Sequence, residues 1–232
     1  MAAARVVKEH DERRGEILGA AQLLFNQHGY DNTSVNSIIE HLGISKGTFY
    51  HYFSSKEELL DALVESFTDD IMARVVEATH AKGLTAIERM NAYFSVAGTY
   101  KAANTDIILM LLKAMYRPEN ILLRHKLTRV MIVRAGAELS DIIQQGVDDG
   151  EFDAENAVDT AELILYVAVA MRETTAQLWL QLAEDAGVWD ELVRKTRSCE
   201  RAIERLLGST KGSIRLVARE TLEMFKNAIA KK

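Results

Sequence analysis

The run Asn32-Thr33-Ser34-Val35-Asn36-Ser37-Ile38-Ile39-Glu40-His41-Leu42-Gly43-Ile44-Ser45-Lys46-Gly47-Thr48-Phe49-Tyr50-His51-Tyr52-Phe53 decides how the rest of the chain is read. Val35, Ile38, Ile39 and Leu42 recur at three and four residues, the spacing that draws one apolar stripe along a helix. Asn32 or Thr33 is placed to cap that helix, and Gly43 supplies the left-handed backbone of a tight turn. Ser45 then caps a second short helix, in which Phe49 and Phe53 lie one turn apart and face a core. Its other face gathers Lys46, Thr48, Tyr50, His51 and Tyr52, a concentration of charge, hydroxyls and rings that a core does not require.

Gly47 is the odd residue in this helix, because glycine in a helix interior costs about 1 kcal/mol relative to alanine. Its presence points to something that approaches the backbone closely. Two short helices joined by a glycine turn have the geometry in which the second enters the major groove of DNA and the first lies across the phosphates. Free amides at the start of the second helix favour phosphate or base acceptors. The plain alternative is that Tyr50, His51 and Tyr52 decorate an ordinary helical surface.

Upstream, Ile17, Ala21, Leu24 and Phe25 form one stripe of a helix expected from about Glu9 to His28 and ended by Gly29. Downstream, Ser55 and Glu58 form a capping box for a helix carrying Leu60, Val64, Phe67 and Ile71. Taken together, Ala20-Ala21, Leu24-Phe25, Gly29-Tyr30, Thr33-Ser34-Val35, Ile38, the run from Gly43 to Phe53 and Lys56-Glu57-Glu58-Leu59 closely resemble the TetR family of bacterial regulators. The resemblance spans Ile17 to Leu60. It implies an all-α protein with a three-helix DNA-binding head, a linking helix and a helical regulatory domain that dimerises.

Under that resemblance residues 1–55 form the head and 56–232 the ligand-binding and dimerisation domain. Thr33, Ser34, Tyr50, His51 and Lys56 fall where phosphates are contacted, Lys46, Gly47 and Thr48 fall where bases are approached, and Ser45 at the start of the recognition helix is counted among the DNA-binding residues. The chemistry agrees: lysine donates to guanine O6 or N7, and the threonine methyl meets that of thymine. The implied partners are double-stranded DNA bearing a partly palindromic operator, a second copy of the chain, and a small, largely apolar effector that releases a repressor. No membrane partner, cofactor or metal is expected.

Composition sets limits on other readings. With 48% hydrophobic and 27% charged residues and a single proline, the chain has the makings of an ordered, largely helical fold. Its one cysteine, Cys199, excludes an intramolecular disulfide framework and fits a reducing cytoplasm. A net charge of -6 argues against indiscriminate coating of nucleic acid, leaving recognition to local cations. The longest apolar run, Leu163 to Met171, falls far short of the roughly 20 residues that span a bilayer. The start of the chain lacks a signal peptide's apolar segment, and Arg5 and Lys8 are expected to lie in a disordered arm.

The remaining helices follow from their punctuation. Gly83 breaks the chain before a capping box at Thr85 and Glu88, and Ile107 to Met115 forms a short helix. Pro118 opens a helix from about Glu119 to Val147 that Gly150 closes, and Asp153 begins another that runs through Ala157 to Leu182. A last helix covers Trp189 to Leu207, and Lys211 to Lys232 reads as an amphipathic basic tail.

For the effector, Met90, Phe94, Tyr100, Met110, Met115, Tyr116, Met131, Met171, Arg172 and Trp179 are the expected pocket walls, methionine suiting adaptable apolar sites. The same residues also read as plain core. Arg172 and Glu173 interrupt an apolar helix and need partners if buried. Two other function classes stay open: a metal enzyme hinted at by Glu77 and His80 at helical spacing, and a protein-interaction dimer that keeps the helix-turn-helix shape. A di-iron bundle needs two Glu-x-x-His pairs and the chain shows one, with no catalytic constellation.

Overall fold

A computed structural model describes residues 2–182, 185, 187–218 and 221. Among the described residues the regular structure is entirely helical. α1 (Ala2–His28), α2 (Val35–Leu42), α3 (Lys46–Tyr52) and the first half of α4 (Lys56–Thr79) enclose one core. α5 (Ala86–Ala103), α6 (Thr105–Met115), α7 (Ile121–Asp148), α8 (Ala157–Gln181) and α9 (Val188–Leu206) make the body.

The ends of these helices have local causes, though several differ from the sequence expectation. Ser34, rather than Asn32 or Thr33, caps α2: its hydroxyl accepts from the Ser37 amide at 3.0 Å while the Ser37 hydroxyl accepts from the Ser34 amide. Gly43 closes α2 at φ 63°, where an L side chain would be strained. Ser55 caps α4, but the Glu58 carboxylate reaches one residue further back, to the Ser54 amide and hydroxyl. Thr85 and Glu88 make the expected reciprocal box at the start of α5.

α1 extends back to Ala2, so the segment holding Arg5 and Lys8 is helical rather than a disordered arm. Pro118 opens a single 3-10 turn before α7, and α8 begins at Ala157 under an Asn156 cap, not at Asp153. From Lys211 to Ala218 the tail is not helical. Ile214 and Leu216 are buried in the body, and the carboxylates of Glu204 and Glu200 accept from the amides of Gly212 and Leu216. Backbone donors that would have paired within a helix are met by side chains there. Arg219 and the residues from Leu222 to Lys232 lie outside the described residues.

The two cores do not divide at residue 55. Leu59, Leu60, Leu63 and Phe67 of α4 belong to the head core, and Ile107, Leu111, Ala114 and Met115 of α6 close it from below. The body core joins Val75 of α4 to Met90, Leu139, Ile142, Ile143, Ile164 and Ile203. α4 therefore contributes to both, and it packs extensively along α5. A polar tie crosses the same boundary, Arg117 donating to Asp31, and Arg134 of α7 donates to Asp69 of α4.

Candidate nucleic-acid interface

The second and third helices are held by their apolar sides. Ile38 and Phe49 are fully buried, and Phe49 stacks edge-on near Tyr50 and beside Phe53. What remains outside on α3 is Lys46, Gly47, Tyr50 (53% exposed) and His51, with Thr48 partly covered. His51 and Tyr52 have their rings edge to face at 5.0 Å. Ser45 caps α3 by accepting from the Thr48 amide at 3.0 Å, and the two hydroxyls lie 2.9 Å apart. Ser45 and Thr48 thereby hold each other's orientation on the exposed face.

Gly47 lies in the first turn of this helix with a negative φ, so the backbone does not call for glycine. A Cβ built there meets only the Ser45 hydroxyl, at 3.6 Å, an ordinary contact. Neither conformation nor internal packing accounts for the residue.

Two residues expected at phosphates have other work. Thr33 is 1% exposed, and its hydroxyl is directed at the carbonyls of Gly29 (2.8 Å) and Leu24 (3.2 Å), locking the turn onto the end of α1. It is turned away from any ligand on the surface. The Lys56 ammonium donates to the carbonyls of Tyr30 (2.9 Å) and Thr33 (3.1 Å) and sits 4.2 Å above the Tyr30 ring. Burial, ahead of the opposing pull of Asp31 and Glu57, lowers its pKa. Lys56 is a clamp on the α1–α2 turn. The signal missed in the sequence was the carbonyl supply of that turn, which only the tertiary structure brings within reach.

The expected effector walls are dispersed. Met115 is in the head core, with Met110, Tyr100 and Tyr116 packed against it; Met90 is in the body core, with Phe94 and Met171 against it; Trp179 packs in a third cluster around Leu182 and Leu192. Tyr116, Met131 and Arg172 do converge, where α6, α7 and α8 meet. Arg172 donates to the Thr128 hydroxyl at 2.6 Å and approaches the Met131 sulfur at 3.8 Å.

A separate open cleft of about 670 Å³ lies at the far end of α4, lined by Thr79, His80, Arg89, Asp141, Gln145 and Asp148 among others. It contains none of the expected wall residues. Beside it His80 faces Glu138 at 3.3 Å, not Glu77, and Glu138 also receives Thr79 and Arg89. Among the described residues no group of three His, Cys, Asp or Glu side chains is placed to hold a metal, and no helix is long and apolar enough to cross a membrane. Cys199 is buried, which pushes its thiol up to about 11.

Comparison with known proteins agrees with this geometry. The family model for bacterial regulatory proteins of the tetR family matches residues 17–63. The chain is 30% identical over 164 residues to the HTH-type transcriptional repressor KstR2 of Mycobacterium tuberculosis, covering 67% of this chain and 76% of the relative. Among solved structures, a TetR-family transcriptional regulator from Pectobacterium atrosepticum superposes with a TM-score of 0.63 at 17% identity, over 86% of this chain and 96% of that one. A transcriptional regulator from Cytophaga hutchinsonii gives 0.54 at 17% identity, over 93% and 91%. The helix-turn-helix with its exposed α3 is thus the head of a transcriptional regulator rather than part of an enzyme, and the chain belongs to the TetR family.

Proposed function

We propose that this regulator is a homodimeric repressor whose two α3 helices enter successive major grooves of a partly palindromic operator. The observation that carries this reading is Gly47, a glycine that the interior of the protein does not need, set between exposed Lys46 and half-covered Thr48. Lys46, Gly47 and Thr48, oriented by Ser45, approach bases. Ser34, Tyr50 and His51 meet phosphates from the flanks. Thr33 and Lys56 serve by holding the α1–α2 turn in place.

Support for a second copy comes from α8, where Val158 (64% exposed), Leu163 and Tyr166 present an apolar face unusual for a surface helix. α9 sets Arg194, Arg197, Arg201 and Arg205 outward, while α8 exposes Asp159 and Glu162. Opposite charge beside apolar area suits a two-fold contact in which the α8–α9 pair of each copy meets its equivalent. The heads then stand about one helical turn of DNA apart, roughly 34 Å, or a multiple of it. A small effector bound in the body weakens operator binding by preferring a conformation with different head spacing, and linkage makes the operator weaken the effector equally.

The test is fluorescence anisotropy on DNA from upstream of the protein's own gene and on sites selected from a randomised pool, across a salt titration. Sequence-dependent binding that falls with salt, and that Lys46→Ala and Tyr50→Ala both weaken, is expected. Failure to enrich any sequence from the pool, with a folded protein, refutes it.

A further inference from the structure

The turn from α6 into α7 carries an unusual charge arrangement. Arg124 places its guanidinium 4.6 Å above the Tyr116 ring and donates to the Met115 carbonyl at 3.0 Å. Arg172 arrives from α8, spending one terminal nitrogen on Thr128 and the other on the weak acceptor sulfur of Met131. The carboxylate facing these two cations is that of Glu173, 3.5 Å from Arg124 Nε and 3.9 Å from Arg172, and it is itself 38% exposed. Among these three described side chains the balance is one positive charge in excess.

Two polar atoms in this cluster are enclosed: Arg172 Nε, which makes no hydrogen bond among the described residues, and the Tyr116 hydroxyl, which is set against the Glu173 carboxylate. Enclosed donors are nearly always paired, so an unpaired guanidinium nitrogen beside a hydroxyl that faces only the half-exposed Glu173 marks a place for a further acceptor. Arg172, Glu173 and Arg124 all lie close enough to Tyr116 to influence its titration, and burial is the largest effect, raising its pKa. The hydroxyl is therefore a donor across the physiological range, and the guanidinium is always charged. The immediate neighbours, Met115, Met131 and the Tyr116 ring, are apolar and adaptable.

The geometry points to Arg172 Nε and the Tyr116 hydroxyl as the subsite for the oxyanion group of the effector, a carboxylate or phosphate carried on an apolar body. This rests on the reading of the chain as an effector-controlled regulator and narrows its effector from an apolar molecule to an amphipathic anion. Glu173 is the internal competitor that such an anion displaces from Arg124 and Arg172.

The test uses full-length protein with [13C]methyl-methionine, because the Met131 methyl reports directly on Arg172. Octanoate, octyl phosphate and octanamide are the probes; a flexible chain adapts to the apolar surroundings, and the amide is the neutral match of the acid. Octanoate or octyl phosphate should shift the Met131 resonance saturably while octanamide does not, the tighter of the two anions identifying the oxyanion. Arg172→Gln should weaken anion binding at least tenfold, and Glu173→Gln should strengthen it, opposite signs that a merely structural pair would not give. Equal response to octanamide, no saturable shift with either anion, or weakening by both substitutions overturns the assignment. Operator binding is measured in the same samples: anion binding that leaves DNA affinity unchanged keeps the subsite and sinks the regulatory reading instead.

Discussion

Replacing Lys56 by methionine separates a clamp from a phosphate anchor. Methionine keeps an apolar stem of similar length and removes only the ammonium. That ammonium makes hydrogen bonds of 2.9 and 3.1 Å to the carbonyls of Tyr30 and Thr33 and stands 4.2 Å over the Tyr30 ring. Charge-assisted hydrogen bonds are worth about 1.5–3 kcal/mol each when enclosed. The site is only half-buried, so solvent screening takes away much of this, and the cation–π contact adds about 0.5–1 kcal/mol. The Tyr30 carbonyl also keeps its bond from the Thr33 amide. A loss of about 2 kcal/mol follows, which for a chain of this size lowers Tm by roughly 4–8 °C. The slope of log affinity against log salt should stay as in the parent, because no phosphate contact has been removed, and operator affinity should fall only as far as the loosened turn misplaces α2. A phosphate anchor behaves oppositely: the slope drops by about 0.9 for the lost contact. A Lys56→Met protein with unchanged Tm and a slope reduced by about one unit would refute the clamp.

Gly47→Ala gives a second sign test. The added methyl has room and Gly47 lies in the first turn, outside the helix interior where glycine costs most, so Tm should hold or rise slightly while operator affinity falls at least tenfold; unchanged affinity in the anisotropy assay defeats the close approach. Tyr30→Phe probes the same head by pH: burial pushes the Tyr30 hydroxyl up to about 12 from its ordinary 10.0. The unfolded chain therefore loses this proton first, stability falls as pH rises from 10 through about 12, and the phenylalanine variant should flatten that limb in denaturant melts. The same substitution removes an enclosed hydroxyl without a hydrogen-bond partner among the described residues and should add about 1 kcal/mol at neutral pH. Leu163→Glu, at an exposed apolar position on α8, should shift sedimentation from dimer to monomer and abolish tight operator binding without lowering helix content.

The head was legible because its instructions are local. The stripe from Val35 to Leu42, the αL glycine at Gly43 and the Ser45 cap each act within a few residues, and the structure realises them in place. The misreadings at Thr33 and Lys56 arise where local chemistry is ambiguous and distant partners decide. A threonine beside a serine is an equally good cap until the end of α1 claims its hydroxyl, with the carbonyls of Gly29 and of Leu24, nine residues back. Lys56 is indistinguishable from a surface cation until Tyr30, 26 residues away, folds under it. The expected effector walls scattered for a related reason. Periodicity identifies the apolar face of α6 but not which of two cores it meets, and α6 turned Ile107, Leu111 and Met115 toward the head.

That orientation of α6 has an energetic consequence for control. Because α6 closes the head core while its C-terminal turn holds Tyr116, a change at Tyr116 acts on the support of the head itself, and Arg117 next to it is tied to Asp31 in the α1–α2 turn. Moving operator occupancy from nearly full to nearly empty demands a preference of about 5.5 kcal/mol between the two conformations. A charge-assisted contact to Arg172 supplies about 1.5–3 kcal/mol of this. The balance has to come from apolar area, at about 25 cal/mol per Å² removed from water, so roughly 100–160 Å² must be buried in one conformation and not the other. An anion without an apolar body therefore binds without switching, and an apolar body without the anion lacks the contact that distinguishes it from other greasy molecules. On the proposed reading the two requirements together would make the α6–α7 turn a sensor of amphipathic acids, with α4 and α6, which both support the head core, as the route to the head.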